Sequence, residues 1–179
     1  MVPGGKRTNK GVDEEMKTAI VYYSLEGNTK YTADKIADLL KESCEVDVLR
    51  LEPEQSYPDK GFKKFFWGGK SAVMAETPAL KPYEFDATQY DRIIFGTPVW
   101  ASTFTPPIRT FINDNPAVKE KQIAVFTCFS GGGADKALVK LQKFLEVEKF
   151  VAELILVDPK VKVKEEDDAL IAEFCNKLK

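Results

Sequence analysis

The chain has 179 residues, 44% of them hydrophobic and 30% charged, which is the composition of one folded domain with a proper core rather than of a disordered chain. It contains no histidine, so a Ser-His-Asp triad, a Cys-His dyad and any imidazole metal site are excluded. Twenty-six basic against 28 acidic residues leave a net charge of -2, without the basic surplus of a nucleic-acid binder.

Residues 1–16 read as a polar N-terminal arm and 17–179 as the domain. The arm has neither the apolar stretch of a secretory signal nor the acid-poor, Arg-rich pattern of a transit peptide. Met16 is a candidate alternative start, which the sequence alone does not decide. No later segment approaches the ~20 apolar residues of a membrane span. The three cysteines, Cys44, Cys128 and Cys175, are too far apart for a zinc spacing and odd in number. They read as free thiols of a reducing compartment, and the expected location is cytoplasmic.

Thr18–Tyr23 is a short apolar, β-rich run, as a buried parallel strand requires. Asn28–Lys41 follows with Ala33, Ile36, Ala37 and Leu40 on one helical face. Glu45–Leu51 alternates and fits an outer strand. Arg92–Phe95 is an apolar strand ending at Gly96. Thr105 reads as an N-cap before Pro106 and Pro107, which open a helix through Ile112. Ile123–Thr127 is a further strand, and Ala134, Ala137, Leu138, Leu141 and Leu145 mark a helix face. Val151–Val157 is the last strand. Ile171, Phe174, Cys175 and Leu178 stripe the final helix, and the charged stretch from Lys160 to Asp168 reads as solvated loop and helix start. Alternation of this kind predicts an α/β fold: a doubly wound five-stranded parallel sheet of order 2-1-3-4-5, with ligands at the carboxyl ends of strands 1, 3 and 4.

Three loops stand at those ends. The first is Ser24-Leu-Glu-Gly-Asn-Thr29. A strand-to-helix turn presents unpaired backbone N–H groups at the positive end of a helix dipole. Gly27 permits close approach, and Ser24, Asn28 and Thr29 add small polar side chains. These six residues suit a phosphate, and equally a plain capped helix start. The second is Gly96-Thr-Pro-Val-Trp-Ala-Ser-Thr-Phe-Thr105, which sets Trp100 and Phe104 at the mouth of the central strand. Large aromatics there either flank a planar ligand or pack under the next helix. The third is Cys128-Phe-Ser-Gly-Gly-Gly133, where glycines let main-chain groups meet a ligand edge or simply form a flexible turn. With no base near it, Cys128 reads as a packing thiol.

In this order on these strands, the three loops resemble the flavodoxin family over residues 17–179. The first looks like its phosphate loop; Gly96-Thr-Pro-Val-Trp-Ala101 and Thr127-Cys-Phe-Ser-Gly-Gly-Gly133 look like its two flavin-ring loops. The resemblance implies non-covalent FMN, one- or two-electron chemistry and a flavodoxin-like fold. It assigns cofactor contacts to Ser24, Leu25, Glu26, Gly27, Asn28 and Thr29; to Thr97, Pro98, Val99, Trp100, Ala101 and Phe104; and to Cys128, Phe129, Ser130, Gly131 and Gly132. It assigns no catalytic side chain and no metal. Glu26 stands where the family usually has a hydroxyl and is expected to point outward, because a carboxylate is repelled by a phosphate. Phe129 and glycines replace the family's usual stacking Tyr, which opens the outer flavin face.

Residues 59–77 form an insertion. Phe62, Phe65, Phe66 and Val73 predict a core-packed crossover helix interrupted at Gly68-Gly69, and Trp67, Lys70 and Met74 are candidates to approach the flavin. Gly69-Lys-Ser71 is not a nucleotide P-loop, since Lys64 stands where the first glycine is needed and no strand precedes it. A receiver domain is excluded as well, because Gly96 and Thr97 occupy the place of its phosphorylated Asp. Three functions remain: an FMN protein relaying electrons between redox partner proteins, an FMN-dependent NAD(P)H oxidoreductase acting on quinones or flavins, and a flavin-free interaction module on the same fold.

Overall fold

The computed structural model of the protein describes residues 16–58 and 69–179. Five strands, β1 (Lys17–Tyr22), β2 (Glu45–Arg50), β3 (Arg92–Pro98), β4 (Gln122–Phe129) and β5 (Ala152–Val157), form one sheet of order β2-β1-β3-β4-β5. Every neighbouring pair is parallel. Among the described residues the helices α1 (Asn28–Leu40), α2 (Pro106–Asp114), α3 (Ala134–Leu145) and α4 (Glu165–Asn176) cover its two faces, and a further helical stretch spans 69–73. The fold is the doubly wound α/β arrangement read from the alternation of elements.

Successive side chains of a strand point to opposite faces, so a run that is apolar at every position needs cover on both sides. Ile20 and Ile94 join Ile36 and Leu40 of α1 and Phe174 of α4 in one core; Val21, Ile93 and Phe95 join Ile108 and Phe111 of α2 and Leu141 of α3 in the other. The outer strand β2 is exposed at four of its six residues, in keeping with its mixed sequence.

Two central strands are longer than their apolar runs. β3 continues past Phe95 to Pro98 and β4 reaches Phe129, because Thr97 pairs with Thr127 and Pro98 with Cys128. Pairing with a neighbouring strand supports residues whose side chains alone do not signal a strand. Thr105 does precede α2, but its side chain does not cap the helix. In the insertion, residues 59–68, with Phe62, Phe65, Phe66 and Trp67, lie outside the described residues. Residues 69–73 are helical, and the expected interruption at Gly68-Gly69 falls at the boundary of the described residues. Val73 is 69% exposed, so it does not belong to the core face that its spacing suggested.

Candidate functional site

The register aligns Tyr22 with Gly96 and Gly96 with Phe126, bringing the ends of β1, β3 and β4 to one edge of the sheet. Between the three loops that leave this edge lies a cleft of about 270 Å³. Ser24, Leu25, Glu26, Asn28 and Thr29 line it from the first loop, Pro98, Val99, Trp100 and Ala101 from the second, and Cys128, Phe129, Ser130, Gly131 and Gly132 from the third. Gly69, from the helical stretch within the insertion, also lines it. Sequence reasoning missed Gly69, for which only the Gly68-Gly69 pair offered a signal.

Gly27 precedes α1 with φ of +95°, a conformation that glycine adopts at little cost. Ser24 does not reach outward: it is buried, and its Oγ accepts from the N–H groups of Gly27 at 3.1 Å and Lys30 at 3.2 Å. The hydroxyl thereby ties the turn to the helix start from inside. Among the described residues none accepts from the N–H groups of Leu25, Asn28 and Thr29. Donors at a helix start without an intrahelical acceptor suit an anion. Glu26 is exposed, as electrostatics require of a carboxylate beside an anion site. Asn28 spends its Oδ1 on the N–H of Lys160, at 3.0 Å.

In the second loop Trp100 and Thr103 exchange both main-chain hydrogen bonds, at 3.0 Å each, around Ala101 (φ 48°) and Ser102 (φ 55°). Two consecutive positive φ values make a tight type I′ hairpin turn, usually built with Asn and Gly. Here Ala and Ser hold it, at a cost in backbone strain of order 1 kcal/mol or more. The half-buried Trp100 indole meets Tyr23 edge-on at 5.6 Å and Tyr57 at 5.0 Å.

Two residues expected at the cofactor turn elsewhere. Reversal of the chain at Ala101–Ser102 drives Phe104 into the core, where it is 1% exposed, packs on Phe144 and lies under the Arg109 guanidinium. Thr97 is buried too. Its hydroxyl accepts from the Thr105 N–H at 3.0 Å and donates to the Pro98 carbonyl at 2.9 Å, while its own carbonyl accepts from the Thr127 hydroxyl. Thr97 therefore anchors the loop and does not face the cleft. Met74 is 63% exposed and does not line it either.

In the third loop Gly133 precedes α3 with φ of +84°. A Cβ there would stand 2.8 Å from Ser102 Cβ and 3.0 Å from its Cα, so the second and third loops interlock at this glycine. Among the described residues a Cβ on Gly131 or Gly132 would meet nothing within 4 Å, so no described side chain covers that lip. The Cys128 side chain faces the α1 core, where Sγ lies 3.4 Å from Thr32 Oγ1. Burial pushes its thiol up to about 11, so it is neutral at ordinary pH and is no nucleophile. Among the described residues no group of His, Cys, Asp and Glu could hold a metal ion, and no helix is long and apolar enough to cross a membrane.

A doubly wound sheet whose crevice joins unpaired helix-start donors, an indole wall and a glycine-rich lip has the layout of the open α/β class, in which ligands bind at the carboxyl ends of the strands. Residues 17–166 match the family profile described as Flavodoxin, and the chain belongs to that family. Among solved structures it is similar to a flavoprotein from Lactobacillus acidophilus NCFM in complex with FMN, with a TM-score of 0.65, 21% identity and coverage of 81% of this chain and 95% of that one. A candidate flavoprotein from Bacteroides eggerthii DSM 20697 gives a TM-score of 0.69, 20% identity and coverage of 89% and 96%. The two-electron reduced flavodoxin of Megasphaera elsdenii gives 0.54, 18%, 89% and 98%. At these identities the likeness establishes the fold.

Proposed function

We propose that the cleft binds FMN and that the protein carries electrons between redox partner proteins. The observation that bears most weight is that Leu25, Asn28 and Thr29, whose N–H groups have no acceptor among the described residues, line the same cleft as Trp100 and residues 128–132. One end of the cleft thus suits a phosphate and the other a planar ring. The FMN complex of the Lactobacillus acidophilus relative supports the choice of nucleotide.

Bound FMN supplies one- or two-electron redox chemistry, and the protein supplies binding, orientation and electrostatics. The main chain at Leu25, Asn28 and Thr29 donates to the phosphate oxygens. Trp100, braced by Tyr23 and Tyr57, forms one wall of the ring end. Main-chain groups of Ser130, Gly131 and Gly132 stand at the opposite lip. The neutral, buried Cys128 takes no part in electron transfer.

One observation favours a second reading, an FMN-dependent NAD(P)H oxidoreductase: the bare lip at Gly131 and Gly132 leaves room for a nicotinamide or an acceptor. An anaerobic spectrum of the purified protein separates the readings. A yellow protein that NADPH does not bleach is a carrier, one that NADPH bleaches is a reductase, and a protein that stays colourless after incubation with FMN is neither. FMN should also bind orders of magnitude more tightly than riboflavin, since each charge-assisted bond contributes about 1.5–3 kcal/mol. Equal affinities by fluorescence titration would remove the phosphate from the argument.

A further inference from the structure

We infer that Lys160, on the loop after β5, is the cationic clamp of the phosphate end and makes the site selective for the phosphorylated flavin. The inference rests on the FMN reading above and adds a residue that none of the three expected loops contains.

The loop runs Asp158-Pro-Lys-Val-Lys-Val-Lys164 and carries three lysines. Two of them are engaged by carboxylates: Lys162 pairs with Asp158 at 3.0 Å and Lys164 with Glu166 at 3.3 Å. Among the described residues Lys160 has no carboxylate partner. Its ammonium instead lies 2.8 Å from the point where a Cβ on Gly27 would stand, against the turn that opens α1. A side chain at position 27 would displace it, which gives that glycine a role beyond its positive φ.

The placement is anchored from both sides. The Lys160 N–H donates to Asn28 Oδ1 at 3.0 Å, tying this loop to the phosphate turn. The Asp158 N–H donates to the Phe129 carbonyl at 3.1 Å, and the Asp158 carboxylate accepts from the Ser130 hydroxyl, tying it to the third loop. Asp158 is itself buried, with φ of 47°, and its carbonyl accepts from the N–H groups of Val161 and Lys162. With its main chain held, Lys160 has only its side chain left to order when it meets an anion. The long flexible stem still lets the ammonium swing onto a phosphate oxygen. Glu26 lines the same cleft, and a cation nearby lessens the repulsion that its carboxylate exerts on an anion.

The test uses Lys160→Met, which keeps the stem and removes the charge, and Lys160→Arg, which restores it. FMN and riboflavin are titrated into the apoproteins by flavin fluorescence at low and high salt. Lys160→Met should weaken FMN by roughly tenfold to a hundredfold and leave riboflavin unchanged. Lys160→Arg should recover most of the loss, and the wild-type advantage should shrink as salt rises. Unchanged FMN binding in Lys160→Met overturns the clamp while the FMN reading stands. Equal weakening of both flavins also overturns it, because Lys160 would then act only through the loop's fold. A wild-type protein that binds neither flavin overturns the function and the clamp together.

Discussion

In the loop after β1, residues three to six positions apart complete each other: Ser24 accepts from Gly27 and Lys30, and Gly27 supplies the positive φ. In the loop after β3, stability is imported. Thr97 reaches Thr105 and Thr127, Trp100 leans on Tyr23 and Tyr57, and Ser102 lodges against Gly133. The first loop offers main-chain donors and is nearly self-sufficient. The second offers one aromatic face, held in a strained turn by four other parts of the chain. Recognition of a phosphate needs only a short backbone nest, whereas orientation of a ring wall needs a large side chain fixed by packing.

That contrast is open to test. Trp100→Ala should give the largest effect, because it removes an indole from two aromatic partners. We expect about 2–4 kcal/mol lost in stability by chemical denaturation, toward the lower part of the Trp→Ala range since the side chain is only half-buried. In the FMN-loaded protein the oxidised form should weaken most, and the two-electron potential of full reduction should rise by some tens of millivolts, 1.4 kcal/mol being about 30 mV for two electrons. A variant with normal FMN affinity and potential would make Trp100 a packing residue alone.

Gly133→Ala addresses the interlock. The added methyl meets Ser102 in a backbone conformation that disfavours it, so a loss of about 2 kcal/mol is expected. Ser102→Gly in the same chain should recover much of that loss, since it removes both the obstructing side chain and one strained residue. If a double-mutant cycle gives strict additivity, the two loops do not support each other.

Ser24→Ala tests the self-sufficient loop and should cost about 1 kcal/mol, the usual scale for losing a helix-start acceptor. The cost should be the same with and without Trp100. A much larger loss in the Trp100→Ala background would show that the loops are coupled after all.

The smallest change is expected beneath the first loop. The buried Cys128 thiol, raised to about 11, should resist iodoacetamide at pH 8, while the half-buried Cys44 reacts first. Because the folded protein holds this proton more tightly than the unfolded chain, the neutral thiol's contribution is complete below about pH 9 and falls away as the pH rises through 11. Rapid labelling of Cys128 at pH 8 would mean that the floor under Thr29 and Thr32 opens readily.

The sequence by itself determined the five strands, their order, the three loops at one sheet edge and the family resemblance. Apolar runs such as Thr18–Tyr23 and helical stripes such as Ala33 to Leu40 are local patterns, and right-handed parallel connections leave few ways to assemble them. The first loop was legible for the same reason, since its bonds run between residues close in sequence. Only the tertiary structure decided the rest. Phe104 and Trp100 lie four residues apart in one loop, and a strained turn between them sends one into the core and the other to the cleft. Thr97 became an anchor because Thr105 and Thr127 stand beside it. Lys160 looked like one charge in a solvated stretch, yet lies 132 residues along the chain from the Asn28 side chain that holds it. Its position follows from β5 ending at the same edge as β1, a juxtaposition that exists only once the sheet has formed and the helices have packed against it.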